Sequence, residues 1–333
     1  MTVQNSGSQS AKVAGMKPIV TLTLNPAIDS SCQADEVGPV HKIRTFAERY
    51  DVGGGGINVA RVIRELGGEA IAVYLAGGLT GQAFKRMLDA IGLQHRAVPI
   101  SGDTRVAHTV YERSSGQEFR FVPEGPEIHD DEWQACLREL ANLEFDYLVA
   151  SGSLPRGLPE DFYAQVARAV AAKGARFVLD TSGEALKRAL DFGVYLVKPN
   201  LRELETAVGR ALREPAEQEE AARQLIARGR AEIVTVSLGA DGALLATGEG
   251  CYRLAAPRIR PKSAVGAGDS FVAAMTLGLA QGRTPKDAFV LAVAAGTAAV
   301  LTMGTELCRR EDVLRIYRQI QAEQVDPATA APQ

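Results

Sequence analysis

From residue 147 onward, short runs rich in valine, isoleucine and leucine alternate with stretches of helical period, and this alternation restricts the chain to one class of fold. Runs at 18–24, 70–75, 147–151, 176–180, 195–198 and 233–237 read as buried strands, and 161–173, 201–208 and 218–228 as helices. Parallel neighbours need a crossover to return the chain, usually a helix, so the series predicts an α/β fold with a mostly parallel central sheet. In such sheets ligands gather beyond the carboxyl ends of the strands. Those ends carry Asp29, Ser151-Gly152-Ser153, Asp180, Lys198-Pro199-Asn200 and Ser237-Leu238-Gly239.

Two segments interrupt the pattern. Residues 30–52 and 96–121 are short, polar and alternating, and the second contains a hairpin pattern on either side of Ser114-Ser115-Gly116-Gln117. The reading is one small β lid standing off a core made of residues 17–29, 53–95 and 122–323. The ends, 1–16 and 324–333, are polar or small and read as disordered tails. An apolar, alanine-rich stretch at 285–301 reads as a core helix.

Two glycine clusters stand at helix starts. Gly53-Gly54-Gly55-Gly56 runs straight into a helix at Ile57-Asn58-Val59-Ala60, and so much chain entropy is usually given up only where backbone must lie against a ligand. A flexible loop is the alternative, and the abrupt change to helix argues against it. The second cluster is Ser263-Ala264-Val265-Gly266-Ala267-Gly268-Asp269-Ser270-Phe271. Bare amides at Gly266, Ala267 and Gly268, with the positive end of the following helix, form a seat for phosphate. Asp269 stands in the first turn, where the helix dipole is expected to hold it ionised, ready to accept a proton. Taken alone it could equally be an N-cap.

Several function classes are excluded. The chain has no G-x-x-x-x-G-K-S/T loop, no strand-borne G-x-G-x-x-G with a following acid, no G-x-S-x-G and no H-E-x-x-H. His41, His95, His108 and His129 lack ligand spacing. With 40 acidic and 37 basic residues the net charge is −3, which gives no global field for nucleic acid or an anionic membrane. No run approaches the length of a membrane span, and Cys32, Cys136, Cys251 and Cys308 form no paired motif. A cytoplasmic protein acting on small molecules is expected. The remaining set suits phosphoryl transfer: Asp269 as base, the Gly266–Gly268 amides for developing charge, Lys198, Asn200 and Glu203 for phosphates and Mg2+, and Lys42, Arg44 and Arg105 on the lid for a phosphorylated substrate.

These motifs, in this order, resemble the ribokinase-like (PfkB) sugar kinases. The likeness rests on residues 53–61 and 264–271, with Thr23-Leu24-Asn25-Pro26-Ala27-Ile28-Asp29, Ser151-Gly152-Ser153-Leu154-Pro155, Lys198-Pro199-Asn200 with Glu203, and Val236-Ser237-Leu238-Gly239 between them. It spans about residues 17–320. The resemblance implies a three-layer α/β/α domain with a small β-sheet lid that forms a homodimer, and ATP-dependent phosphorylation of the 1-hydroxyl of fructose 6-phosphate. It implies Asp29, Gly54, Gly55, Asn58, Arg105 and Ser153 on the sugar, with Lys42 and Arg44 near its phosphate. Lys198, Asn200, Ser237, Gly239, Gly266 and Gly268 would line the ATP side, with Glu203 and Asn200 near Mg2+ through water. K+ at the carbonyls of Ser263 and Val265 is a weaker implication, because Ser263-Ala264 replaces the usual Asp-Thr and Glu306 stands where a basic residue is typical. Fructose 1-phosphate and tagatose 6-phosphate kinases are alternatives; they usually carry lysine at the position of Gly55. A non-catalytic sugar-phosphate sensor is a further one.

Overall fold

The structure is a computed structural model that describes residues 17–302 and 305–325. The expected N-terminal tail and residues 326–333 of the expected C-terminal one lie outside the described residues, whereas 324–325 belong to the last helix. In chain order the first half contains β1 (Ile19–Thr23), β2 (Ala27–Ala34), β3 (Thr45–Gly53), α1 (Gly55–Glu65), β4 (Ala70–Ala76), α2 (Gly78–Ala90), β5 (His95–Pro99), β6 (Arg105–Glu112), β7 (Glu118–Phe121) and α3 (Asp130–Asn142). The second half contains β8 (Tyr147–Ser151), α4 (Phe162–Ala172), β9 (Arg176–Asp180), α5 (Gly183–Phe192), β10 (Val194–Val197), α6 (Leu201–Val208), α7 (Pro215–Ala227) and β11 (Ala231–Ser237). A hairpin follows, β12 (Ala243–Thr247) and β13 (Gly250–Leu254), and then α8 (Ala267–Ala280), α9 (Pro285–Ala299) and α10 (Arg310–Val325).

Nine strands form the central sheet in the order β13-β12-β11-β10-β9-β8-β1-β4-β5. All pairings are parallel except those of the β12–β13 hairpin at one edge. Central strands such as β1 and β8 are buried on both faces, which is why they read as continuous apolar runs. One face packs Ile57, Ile63, Phe84, Phe271, Met275, Phe289 and Val313 from α1, α2, α8, α9 and α10; the other packs Cys136, Phe162, Leu186, Leu204 and Leu225 from α3 to α7. The result is the expected three-layer α/β/α arrangement. Strand order reverses at β1, so a crevice opens beyond the carboxyl ends of β1 and β8.

The second sheet has the order β3-β2-β6-β7. Its boundaries differ from the sequence reading: β2 enters it from Ala27 and β3 stays in it to Gly53, where the two pair, and His95–Pro99 is β5, paired parallel with β4 in the main sheet, because Val98 belongs to the core. Only β6 and β7 of that segment join the lid. Alternation gives the lid sheet two different faces. Tyr50, Ser30, His108 and Phe121 stand in one row across four strands, and Tyr50 and Phe121 are exposed. Arg49, Asp51, Asp29, Arg105 and Arg120 lie on the opposite face.

At the start of α1 the glycines are a packing requirement. A Cβ on Gly55 would lie 2.2 Å from Ser151 Oγ, and one on Gly56 would lie 2.5 Å from the Leu22 carbonyl oxygen. The helix thus lies directly on the backbone ends of β1 and β8. Gly56→Ala is expected to lower stability by about 2 kcal/mol, since collision with backbone outweighs a gain of about 1 kcal/mol in helix propensity. Denaturant unfolding checks this; an unchanged midpoint would mean that the floor relaxes freely.

Candidate active site

The crevice is centred on Asp269. Gly266 caps α8 in the left-handed conformation at φ 74°, which turns the chain so that Ala267, Gly268 and Asp269 form the first turn. Asn58 Nδ2 donates to Asp269 Oδ2 at 2.9 Å, and Ser151 Oγ donates to Oδ1 at 3.3 Å. Burial pushes the Asp269 carboxyl up to about 6, and the negative charge of Asp180 adds to the shift; Asn58, Lys198 and Ser151 oppose it. This corrects the expectation that the helix dipole alone would set the group. Desolvation outweighs the dipole.

Lys198 sits beside this turn. It is buried, its Nζ lies 3.1 Å from Asp180 Oδ1, and a Cβ on Gly268 would be 3.5 Å from the same nitrogen. Burial alone would lower its pKa, but Asp180, Glu203 and Asp269 together raise it, so the ammonium stays charged. Asp180 closes β9 and pairs parallel with Ser151 at the end of β8. Both were visible as strand-end residues, but their polar character alone assigned them no role.

On the β1 side, Gly54 caps α1 at φ 114°, and a Cβ on Gly53 would fall 2.0 Å from Asp29 Oδ2. Burial raises the Asp29 carboxyl, while Arg120, Arg105 and Arg61 pull it down and Asp51 raises it. Arg105 donates through Nη1 to the Pro123 carbonyl and through Nη2 to the Asn25 carbonyl, both at 2.8 Å, which fixes its guanidinium beside β1. It borders an open groove of about 650 Å³ shared with Asp103, His129 and Arg156. Arg61 donates to the Val52 carbonyl at 3.0 Å and to Asn58 Oδ1 at 3.3 Å, holding the asparagine that holds Asp269. Arg61 and Arg120 were missed. The signal for Arg120 was the alternation of β7, which puts it in one row with Thr109 and Ser31.

On the other side of Asp269 lies a cavity of about 750 Å³. Ser237, Gly239 and Pro257 line one wall, Ala264 and Gly268 its floor, and Gly296 and Thr297 of α9 the other. The alanine-rich helix therefore has a second role that its composition concealed; its glycine and threonine were the available sign. A Cβ on Gly239 would meet nothing within 4 Å, so its backbone is open to a ligand. Asn200 Oδ1 accepts from the Glu203 amide at 2.9 Å, and Glu203 Oε2 accepts from the Asn200 amide at 2.8 Å. This capping box leaves Oε1 of Glu203 outside it. Burial raises the Glu203 carboxyl, with Asn200 and Lys198 acting against it.

Some predicted residues stay apart. Lys42 and Arg44 are exposed on the loop between β2 and β3, and Ser153 is exposed just beyond Ser151. Ser263 is buried, and its Oγ accepts from the Val265 amide at 3.2 Å. Among the described residues no group of three or more His, Cys, Asp or Glu side chains forms a metal cage, and no helix is long and apolar enough to cross a membrane.

Known proteins share this fold. The profile of the pfkB family carbohydrate kinases matches residues 22–312. The chain is 44% identical over 305 residues to the ATP-dependent 6-phosphofructokinase isozyme 2 of Mycobacterium tuberculosis, covering 91% of this chain and 90% of that protein. It is 40% identical over 304 residues to the isozyme of the same name from Escherichia coli, covering 91% and 98%. A 1-phosphofructokinase of Bacillus subtilis is 36% identical over 293 residues, covering 86% and 95%. Two crystal structures of phosphofructokinase-2 from Escherichia coli superpose across 92% of this chain and 100% of theirs. The potassium complex gives a TM-score of 0.89 at 40% identity, and the fructose-6-phosphate complex 0.87 at 39%. A ribokinase of Arabidopsis thaliana, 21% identical, shares the fold at a TM-score of 0.71 over 91% of this chain and 99% of its own.

The raised carboxyl has a consequence for stability. Below pH 3.8, the ordinary value of an aspartate, Asp269 is protonated both folded and unfolded and its desolvation costs nothing in charge. The cost grows as pH rises and is complete above about 6, where it amounts to about 3 kcal/mol. Asp269→Asn is therefore expected to unfold at higher denaturant than the parent at pH 8, by about 1–3 kcal/mol, with the gain vanishing toward pH 4. A gain independent of pH would remove the carboxyl from its buried setting.

Proposed function

The chain belongs to the pfkB family of carbohydrate kinases, and we propose that it transfers the γ-phosphoryl group of ATP to the 1-hydroxyl of fructose 6-phosphate. The observation that carries this reading is Asp269, a half-buried carboxyl that desolvation pushes up to about 6, between a glycine floor and a 750 Å³ cavity. At neutral pH it is mostly ionised yet basic enough to take a proton. Oxygen 1 of the sugar attacks the γ-phosphorus while its proton passes to Asp269. The bond from the γ-phosphorus to the bridging oxygen breaks, and its electron pair leaves with ADP. Asn58 and Ser151 aim the carboxylate by binding separate oxygens. The Gly268 amide, at the Gly266 turn, would meet the charge on the transferring group beside the Lys198 ammonium; the Ala267 amide, expected to be bare, instead donates to the Ala264 carbonyl at 3.5 Å.

The sugar would lie against Asp29, Gly54, Gly55, Asn58 and Ser153, with its phosphate toward Arg105, Arg120 and the lid-loop residues Lys42 and Arg44. ATP would extend from the Gly266 turn past Lys198, Asn200, Ser237 and Gly239. The family implies a divalent metal. Glu203 Oε1 and Asn200 fit Mg2+ through water, because an ion that retains several waters needs few protein ligands. When bound, it neutralises phosphate charge. K+ is named in a solved relative, and here the carbonyls of Ser263 and Val265 would hold it. The exposed apolar side chains Tyr50 and Phe121 in one row of the lid favour a homodimer through that face. Four free cysteines accord with a cytoplasmic location.

A second reading, a kinase for fructose 1-phosphate or tagatose 6-phosphate, is weakened by Gly55. The lysine usual there in such kinases would begin 2.2 Å from Ser151 Oγ. A non-catalytic sensor is weakened by Asp269, because a sensor needs the pocket but gains nothing from so costly a base. Steady-state kcat/KM for the three sugar phosphates tests the substrate: at least about tenfold preference for fructose 6-phosphate is expected, and a hundredfold preference for another would overturn it. Asp269→Asn is expected to lower kcat by at least about a thousandfold while sugar binding, read by calorimetry, changes only a few-fold. Near-parental turnover would sink the proposed base.

A further inference from the structure

Arg49 in the lid and Glu306 beyond α9 are 257 positions apart, yet Arg49 Nη1 donates to Glu306 Oε1 at 2.8 Å. The same guanidinium grips Asp51 with its other edge, Nε to Oδ2 at 2.8 Å and Nη2 to Oδ1 at 3.3 Å. Asp51 Oδ2 also accepts from Thr305 Oγ1 at 2.6 Å, and Glu306 Oε2 accepts from Arg309 Nη2 at 3.2 Å. Lid strand β3 is thus bound to residues 305–309 by a chain of five side chains. Geometry of this kind is directional, since a forked guanidinium fixes both carboxylates at once.

Each end of the chain leads to one half of the active site. Asp51 is two residues before Gly53, whose Cα has no room for a side chain beside Asp29. Val52, between them, offers its carbonyl to Arg61, and Arg61 holds Asn58 against Asp269. At the other end Leu307 follows Glu306, and its Cδ2 lies 2.5 Å from where a Cβ on Gly266 would be. Thr302 Oγ1 ties the same segment to the end of α9, lying 2.7 Å from both the Ala299 and the Glu306 carbonyl so that its one proton serves either. A displacement of β3 therefore has a short path to the anion turn.

We infer that Arg49 and Glu306 are positioning residues, whose ion pair clasps the lid to the segment behind the Gly266 turn and so couples binding of the sugar phosphate to binding of the nucleotide. The side chains of Arg49 and Glu306 are 48% and 33% exposed, so as a static bridge they add little stability. Their effect is on how one ligand alters the affinity for the other, a coupling that is reciprocal.

This rests on the sugar-kinase reading above. Calorimetry would measure the Kd of a non-hydrolysable ATP analogue with and without saturating fructose 6-phosphate in the wild-type chain, Arg49→Ala, Glu306→Lys and the double variant. A wild type that binds fructose 1-phosphate or tagatose 6-phosphate instead would refute the substrate, and the clasp would then be measured with that sugar. The clasp predicts at least about fivefold coupling in the wild type and less than about twofold in each single variant, with Kd for the analogue alone within about threefold of the parent. Glu306→Lys faces its lysine toward Arg49, so adding Arg49→Ala should not lower the coupling further, and thermal unfolding should stay near parental in all three. Absence of coupling in the wild type, full coupling in either single variant, or additive losses in the double would each overturn the clasp.

Discussion

A carboxylate can be largely withdrawn from solvent and still ionise near neutrality only if donors reach it from fixed directions, and the desolvation of Asp269 imposes that condition on the rest of the structure. The donors come from different elements: Asn58 from α1, Ser151 from the end of β8, with the Lys198 charge just past β10. These positions are far apart in sequence. They meet because strand order reverses at β1, which leaves β1 and β8 side by side with their next helices diverging. For Asn58 to come within 2.9 Å of the first turn of α8, the start of α1 must lie on the ends of two strands, and that contact leaves no volume for a Cβ at Gly55 or Gly56. The glycine floor follows from the position of the carboxylate.

Charge alternates outward from that point. Asp180 raises Asp269 and also keeps Lys198 protonated, so a single acid tunes both the carboxyl and the ammonium beside the Gly266 turn. Were Asp180 neutral, burial would act on Lys198 with one opposing charge fewer and the positive charge near Gly268 would weaken. On the sugar side the order is reversed: an acid, Asp29, is surrounded by Arg120, Arg105 and Arg61. The two half-sites therefore present cations at opposite ends of the crevice, where a phosphorylated sugar and a nucleotide would each bring negative charge, with Asp269 between them.

How much of this was legible follows from how local each feature is. The strands of the parallel sheet were readable because burial on both faces makes them continuous apolar runs, and both glycine turns because Gly54 and Gly266 sit at positive φ and Gly53, Gly55 and Gly56 have no room for a Cβ. Strand β5 was misplaced into the lid, since its short sequence, with one buried valine, carries no mark of which sheet it joins. The setting of Asp269 could not be read either: the helix dipole is a property of one turn, whereas desolvation is the work of every element packed around it. Ser151 and Asp180 were visible as polar strand ends, but their roles depend on the register of β8 against β9, which pairs them directly. Arg61 lies on a helix whose pattern accounts for it as a surface charge, and only the contact with Val52 and Asn58 turns it inward.

Strand β3 joins these properties. Arg49 and Asp51 point to the charged face, where they bind residues 305–306, and Gly53 continues that face beside Asp29. Tyr50 and Val52 point the other way; Val52 is in the core and Tyr50 is exposed at the edge of the lid. Because neighbouring residues of a strand share one backbone and differ only in the face they serve, a body seated on Tyr50 would move Arg49 and Asp51 with it. An outer contact of the lid and the inner arrangement of the site are then two readings of one displacement, and residues 305–307 are where that displacement meets the turn that carries Asp269.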